Sequence, residues 1–324
     1  MTTLKEIAAR TGFSISVVSR ALNLKPDAAT RISKETRQKI LKTAESMGYT
    51  RNRFAEFLKR GKHPVIGVFI PEWANRLMAD LVYGLAEAAN AFEFPLRLSL
   101  GMNYEQYRDF LNDSHKNPKC GLITYPYFET DNRITKLVES FRAQGNQMVL
   151  MHSTVSVKGV PVVTMDDEEG GRIAARHLLE KGCKQFVVFG MFDSRSKGFK
   201  EVLAGKKIKP IEFSNDAMFY PKLLTLQKKA SINNPLGIFA VTDIIALSVM
   251  RAFKEKPGVL GREVKLIGYD DLDFAAHLTP ALTTLHQPFK KIGSLAVEKL
   301  VSLMEGQEAN SEIIKPWLVV RESA

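Results

Sequence analysis

The sequence predicts an α/β protein in three parts: a small N-terminal helix-turn-helix headpiece of three helices, a hinge helix, and a two-lobed body of doubly wound parallel sheets. Three observations carry that prediction. Capped, amphipathic helical stretches crowd the first fifty residues. Residues 1–62 hold fourteen Lys and Arg against five Asp and Glu, a net +9 out of +11 for the whole 324-residue chain. From Pro64 onward, apolar strand-like runs alternate with helical stretches in two successive sets, the signature of parallel sheets covered on both faces.

In the headpiece, Thr3 and Glu6 form a T-x-x-E capping box ahead of Leu4, Ile7 and Ala8. Gly12 ends that helix, and Ser14 caps the next. The second helix lies within "FSISVVSRALN" (13–23), where Val18 and Leu22 form an apolar stripe and Ile15, Ser16, Ser19, Arg20 and Asn23 a mostly polar face. Ala8, Gly12 and Val18 have helix-turn-helix spacing: a small residue at the crossing, a glycine free to take positive φ, and a branched apolar residue that locks the pair. A third helix is expected from Ser33 to Met47, with Ile40, Leu41, Ala44 and Met47 inward and Gly48 as its stop. Such a bundle buries one face and leaves another over. That face merely meets water in the bland reading, but with +9 concentrated around it, it points to a polyanion. A helix docked in a DNA major groove reads bases with residues near its N-terminus, here Ile15, Ser16 and Arg20. Arg20 suits a bidentate contact to guanine and Ile15 a thymine methyl, while Ser14, Ser19, Asn23 and Thr36 suit phosphates.

The run "LKEIAARTGFSISVVSRALN", the S-x-x-TR opening of the third helix, the GY that ends it and the N-R-x-A-x-x-L segment resemble the headpiece of the lactose-repressor (LacI/GalR) family of bacterial transcription regulators. The resemblance extends through the later domains. Val17 stands where that family usually has a phosphate-binding threonine, and loop 24–31 is a few residues longer than usual. The resemblance implies that residues 52–60 fold into a hinge helix over the minor groove, with Asn52, Arg53 and Ala55 against it and Leu58 wedged between base pairs. So short a helix is marginal by itself, and a flexible linker is the plainer alternative. The implied layout is headpiece 1–50, hinge 51–63, first lobe 64–160 with about 288–315, and second lobe 161–287 with about 316–324. The body then resembles periplasmic binding proteins, its lobes joined by three crossings near 157–161, 286–288 and 315–318, with a helix from Phe289 to Glu305 returning to the first lobe.

Strands are expected at "VIGVFI" (65–70), "LRLSL", "GLITY" and "MVLM" in one set. The second set is "VVTM" (162–165), "FVVFG" (186–190), "PIEF", "GIFAV" (237–241) and "KLIGY" (265–269). Ligands of open parallel sheets bind beyond the carboxyl ends of the strands, so the residues just after each strand are the candidates: Trp73 to Met78, with Leu77 among them, Tyr125, His152, Arg195, Phe213, Thr242, Asp243 and Asp270. By resemblance, Arg195 and Asp270 match the family's effector-binding arginine and aspartate, a planar donor fork beside an acceptor pair. Asp243 and Asp271 serve equally well as helix caps, His152 as a structural histidine, and Leu77 and Met78 as core. Thr242 replaces the usual family asparagine and His152 a frequent aspartate.

The function classes thin out quickly. No G-x-G-x-x-G, phosphate loop, G-x-S-x-G or H-E-x-x-H occurs, and the six histidines lack metal-ligand spacing, so neither an enzyme nor a cofactor nor a metal is expected. Two cysteines outside any cluster suit a reducing cytoplasm, and neither a signal core nor a membrane-length apolar run is present. The expectation is a homodimeric regulator, a repressor, binding a palindromic double-stranded DNA operator and switched by a small effector, a sugar or sugar derivative with a nucleobase as runner-up. A stand-alone sugar-binding protein is the alternative, disfavoured by the basic headpiece.

Overall fold

The computed structural model describes residues 2–22, 32–49, 63–116, 119–127, 132–190, 193–213 and 219–324. Asn23 and the hinge positions Asn52, Arg53, Ala55 and Leu58 lie outside the described residues.

The headpiece forms because its local signals agree. Thr3 caps α1 (Leu4–Thr11) with a complete capping box, and Gly12 closes it in the left-handed conformation at φ +79°. Ser14 caps α2 (Ile15–Ala21), accepting from the Val17 amide, and Ser33 caps α3 (Lys34–Ser46) in the same way through Thr36. Ile7, Ala8, Val18, Ala21, Ile40 and Ala44 make the small core. Leu41, expected inward, is instead 44% exposed: it lies about 100° round the helix from Ile40, whose row with Ala44 already fills the inner face. The Arg37 guanidinium donates to the Ala21 carbonyl at 3.3 Å and so ties the third helix to the end of the second.

The body holds two six-stranded sheets of matching order. The first runs β11-β5-β4-β3-β1-β2, all parallel, with β1 His63–Ile70, β2 Leu96–Leu100, β3 Lys119–Thr124, β4 Met148–Met151, β5 Val162–Met165 and β11 Glu312–Ile314. The second runs β12-β10-β9-β8-β6-β7, with β6 Gln185–Phe189, β7 Ile211–Phe213, β8 Leu236–Ala240, β9 Val264–Asp270, β10 Thr283–His286 and an antiparallel β12 Trp317–Val319. Helices α4 (Arg76–Ala91) and α11 (Phe289–Met304) bury Leu81, Leu85, Ile292 and Leu300 on one face of the first sheet. Helices α5 (Tyr104–Lys116) and α6 (Asn132–Ala143) cover the other, around Tyr107 and Val138. In the second sheet α7 (Asp167–Glu180) and α8 (Asp193–Ala204) take one face, α9 (Phe219–Gln227) and α10 (Asp243–Ala252) the other.

Strand β5, placed by the sequence pattern at the head of the second set, belongs to the first sheet. It pairs with β4 (Leu150 to Val162) and with β11 (Ile313 to Thr164). The return from β4 takes only a short loop pinned by a Val157–Val160 bridge, so no crossover helix marks it in the sequence. The first crossing therefore lies at Asp166 rather than at 157–161; the other two fall at 287–288 and 315–316, and α11 returns to the first lobe.

Candidate functional site

The cleft between the sheets is a cavity of about 520 Å³ at the carboxyl ends of the strands. Trp73, Leu77, Tyr125 and His152 approach from the first lobe, Arg195, Thr242 and Asp270 from the second. Met78, Phe213 and Asp243, all expected here, are elsewhere. Met78 is buried in the first-lobe core, one residue round α4 from Leu77, and Phe213 packs against Phe189 and Leu223 inside the second lobe. Asn75, within the expected 73–78 stretch, also lines the cavity, as do Tyr127, Asp167, Gln287 and Phe289, which were not anticipated. Asp167 lies two residues past the end of β5 and Gln287 directly follows β10. The rule that found Arg195 and Asp270 reaches Asp167 from "VVTM", and it would have reached Gln287 had the short "TTLH" run been read as a strand.

Arg195 sits at the centre of the polar wall. Its Nε donates to Asp167 Oδ1 at 3.0 Å, its Nη1 to the Val241 carbonyl at 2.7 Å and to Asp270 Oδ1 at 3.4 Å. The guanidinium carbon lies 3.7 Å from the Tyr269 ring centroid, and the Tyr269 hydroxyl donates to Asp167 Oδ1 at 2.8 Å. Gln287 Nε2 donates to Asp270 Oδ1 as well. Burial pushes the Asp270 carboxyl up to about 6 against the pull of Arg195. Burial also raises Asp167, but Arg195, His152 and Tyr269 together outweigh it and hold the carboxyl below its usual range. These residues meet because α7 and α8 approach closely: a Cβ on Gly171 would fall 2.0 Å from the Arg195 carbonyl oxygen, and one on Gly198 only 1.8 Å from that of Glu168.

The apolar wall is aromatic. His152 is stacked between Tyr125 (5.1 Å) and Phe289 (4.9 Å), and Trp73 meets Tyr127 edge-on at 4.2 Å. Burial drives the imidazole of His152 down to about 4, so it is neutral near pH 7, and its Nε2 has no hydrogen-bond partner within the protein. His152, Asp270 and Asp271 hold positive φ of 48°, 120° and 52°; such backbone strain concentrates at binding sites.

The two ambiguous aspartates have their own tasks. Thr242, not Asp243, caps α10, while the fully buried Asp243 accepts from Thr284 Oγ1 at 2.6 Å and the Leu272 amide at 2.8 Å. Asp271 bonds Arg321 at 2.7 Å and His286 at 2.8 Å. Arg76, from the first lobe, donates to the carbonyls of Asp270 and Asp271, and Leu272 packs into the first-lobe core, so the two lobes touch on this side of the cleft.

The headpiece surface has a different character. Ser14, Ile15, Ser16, Ser19 and Arg20 are all exposed, Ile15 at 48% despite its apolar side chain, and Thr36 is half-buried. Arg20 Nε donates to the Ser16 carbonyl at 3.2 Å, a bond that water or a base edge can replace. One helix thus presents a guanidinium, three hydroxyls and a branched methyl group on its solvent side.

Residues 3–52 match the family described as bacterial regulatory proteins, lacI family, and residues 175–324 match the periplasmic binding protein-like domain. The chain thus carries a lacI-family DNA-binding domain followed by a periplasmic binding protein-like domain. Proteins similar to it along nearly the whole length include catabolite control protein A of Priestia megaterium, 26% identical over 97% of this chain and 96% of that protein. The ribose operon repressor of Halalkalibacterium halodurans is also 26% identical, over 100% and 97%. In fold, this chain superposes on the lac repressor dimer bound to operator and the anti-inducer ONPF, with a TM-score of 0.69 and 24% identity over 99% of this chain and 98% of that one. It superposes on the transcriptional regulator CelR in complex with cellobiose with a TM-score of 0.66 at 21% identity, both chains fully covered. Among the described residues no helix is long and apolar enough to cross a membrane, and no three metal-ligating side chains cluster.

Proposed function

We propose that the protein is a cytoplasmic, homodimeric transcriptional repressor that grips a palindromic operator through α2 and changes its grip when a small hydroxylated molecule, a sugar or sugar derivative, fills the cleft. The observation that carries the proposal is the pairing, in one chain, of an exposed recognition helix with an enclosed cleft whose polar side belongs to one lobe and whose aromatic side belongs mainly to the other. A ligand that touches both walls binds one arrangement of the lobes better than any other, and that differential affinity is what a switch requires. Ile15, Ser16 and Arg20 face the bases in this reading; Ser14, Ser19, Asn23 and Thr36 take phosphates, and the 51–63 segment enters the minor groove with Leu58 as its wedge. The relatives support the repressor role, one carrying that word in its name and one of the superposed structures holding a disaccharide.

A receptor rather than a catalyst is favoured by how the cleft's groups are engaged. Asp167, Arg195 and Asp270 hold one another, and the Thr242 hydroxyl is spent on capping α10. The neutral imidazole of His152 lies between two rings. A general base needs reach to a nucleophile, which this arrangement does not offer.

The test is a gel shift with a palindromic probe, run with and without members of a panel of sugars, polyols and nucleobases chosen by thermal shift on the full chain. A saturating ligand at a hundredfold excess over its Kd stabilises the folded state by about 2.7 kcal/mol. The Trp73→Ala variant keeps its operator affinity but loses the ligand response. Absence of any salt-sensitive DNA binding, or a strictly monomeric protein, overturns the proposal.

A further inference from the structure

Arg195 is the single cation among the described residues that line the cleft, and every bond recorded for it goes inward, to protein. Two carboxylates flank it. Asp270 is the partner the sequence anticipated. Asp167, the first residue of α7, is the nearer of the two: its Oδ1 takes Nε at 3.0 Å, and the Tyr269 hydroxyl, donating to the same oxygen, fixes its position. The Tyr269 ring blocks one face of the guanidinium. The formal charge of the cavity wall is therefore −1, with its cation already matched twice over, while the facing wall contributes aromatic rings and a neutral imidazole. Such a wall offers carboxylate oxygens and amide groups to ligand hydroxyls but no unmatched positive charge to a phosphate or carboxylate.

We propose that Asp167 is the charge filter of the cleft: by occupying the Arg195 fork it restricts the site to uncharged hydroxylated ligands and turns away their phosphorylated or carboxylated counterparts. The proposal rests on reading the cleft as the effector site. An anion entering the cavity meets two like charges at close range, and a unit charge a few ångströms away in a partly buried site changes affinity by orders of magnitude. Removing the Asp167 charge brings the wall to neutrality and weakens the hold on the Arg195 fork, which an incoming phosphate can then engage.

Isothermal titration of the full-length protein with inorganic phosphate, D-glucose 6-phosphate and D-glucose decides the matter. Wild type takes up neither phosphate probe at millimolar concentration, whereas Asp167→Asn binds both roughly ten- to a hundredfold tighter than wild type does. Asp167→Ser gives the same gain, guarding against a defect peculiar to one variant, and Asp167→Glu, which keeps the charge, does not. Thermal melts of each variant establish that it is folded. Phosphate binding by wild type equal to that of Asp167→Asn, or no gain in either neutral variant when both are folded, overturns the filter. Inorganic phosphate is a probe independent of the natural effector, so these outcomes stand even if the cleft proves not to control DNA. Conversely, sugar-dependent release of operator combined with an unchanged Asp167→Asn leaves the switch standing and removes the filter alone.

Discussion

Replacing Gly198 by alanine tests how the cleft is assembled. The new Cβ would sit 1.8 Å from the Glu168 carbonyl oxygen, whereas comfortable contact begins near 3.4 Å. Because the obstacle is backbone, no side-chain rotation relieves it, and α8 must withdraw from α7 by about 1.6 Å, the difference of those two distances. Asp167 starts α7 and Arg195 lies in the first turn of α8, so the same withdrawal stretches their 3.0 Å bond beyond hydrogen-bonding reach. Two effects of opposite sign compete. Alanine is a better helix former than glycine by about 1 kcal/mol, while overpacking a tight interface costs roughly 1–3 kcal/mol. The severity of the overlap places this site at the upper end, for a net loss of about 1–2 kcal/mol, or a fall in Tm of some 2–8 °C for a lobe of this size. Thermal unfolding of the full chain measures the first effect, and ligand titration of the operator complex the second, which should weaken together with it. A rise in Tm would mean that helix propensity wins and that the close approach of the two helices is not what seats Arg195.

Further outcomes are expected elsewhere. Arg20→Ala should relax preference at one operator position by about 1–3 kcal/mol in competition binding; equal losses on every sequence would make it a phosphate contact instead. Leu58→Ala should weaken specific binding and spare nonspecific binding, and wild-type operator affinity in that variant would contradict the wedge. If six to ten phosphates are neutralised per dimer, affinity should fall by roughly three to five decades between 50 and 200 mM salt, and a flat salt profile would exclude the docking described. Asp243 titrates near 7 in the folded protein because burial penalises its charge, against 3.8 for the free group. The native state therefore holds a proton that the unfolded chain releases, and wild-type stability falls as pH rises from about 4 to 7. Denaturant unfolding of Asp243→Asn should show the variant gaining on wild type across that window and levelling off above it; parallel curves would relocate the ionisation.

The headpiece was the most legible part of the chain because its instructions are local. A capping box, a left-handed glycine and an apolar stripe act within a few residues of one another, and each acts in the structure as the sequence suggests. Leu41 failed because an apolar residue beside Ile40 cannot share its face, whatever its hydrophobicity. The body was legible as to class but not as to partition. Strand β5 pairs with β4 after a loop too short to contain a helix, and nothing in "VVTM" states which of two sheets it joins. The short strands β10, β11 and β12 went unnoticed because runs of three or four residues carry too little periodicity to stand out. Met78 and Phe213 show the converse limit: proximity to a strand end in sequence does not say which way a side chain turns.

The three crossings lie side by side at one edge of the body. Asp166, in the first of them, donates its amide to the Ile314 carbonyl at the approach to the third, and β10 and β12, which flank the second and third, are hydrogen-bonded neighbours. Strands so bundled behave as a torsion bar: they resist sliding and stretching yet yield to twist. Whatever enters the cleft can therefore move one lobe only by turning it about this edge, and the longest lever arm belongs to the parts of each lobe that stand farthest from it.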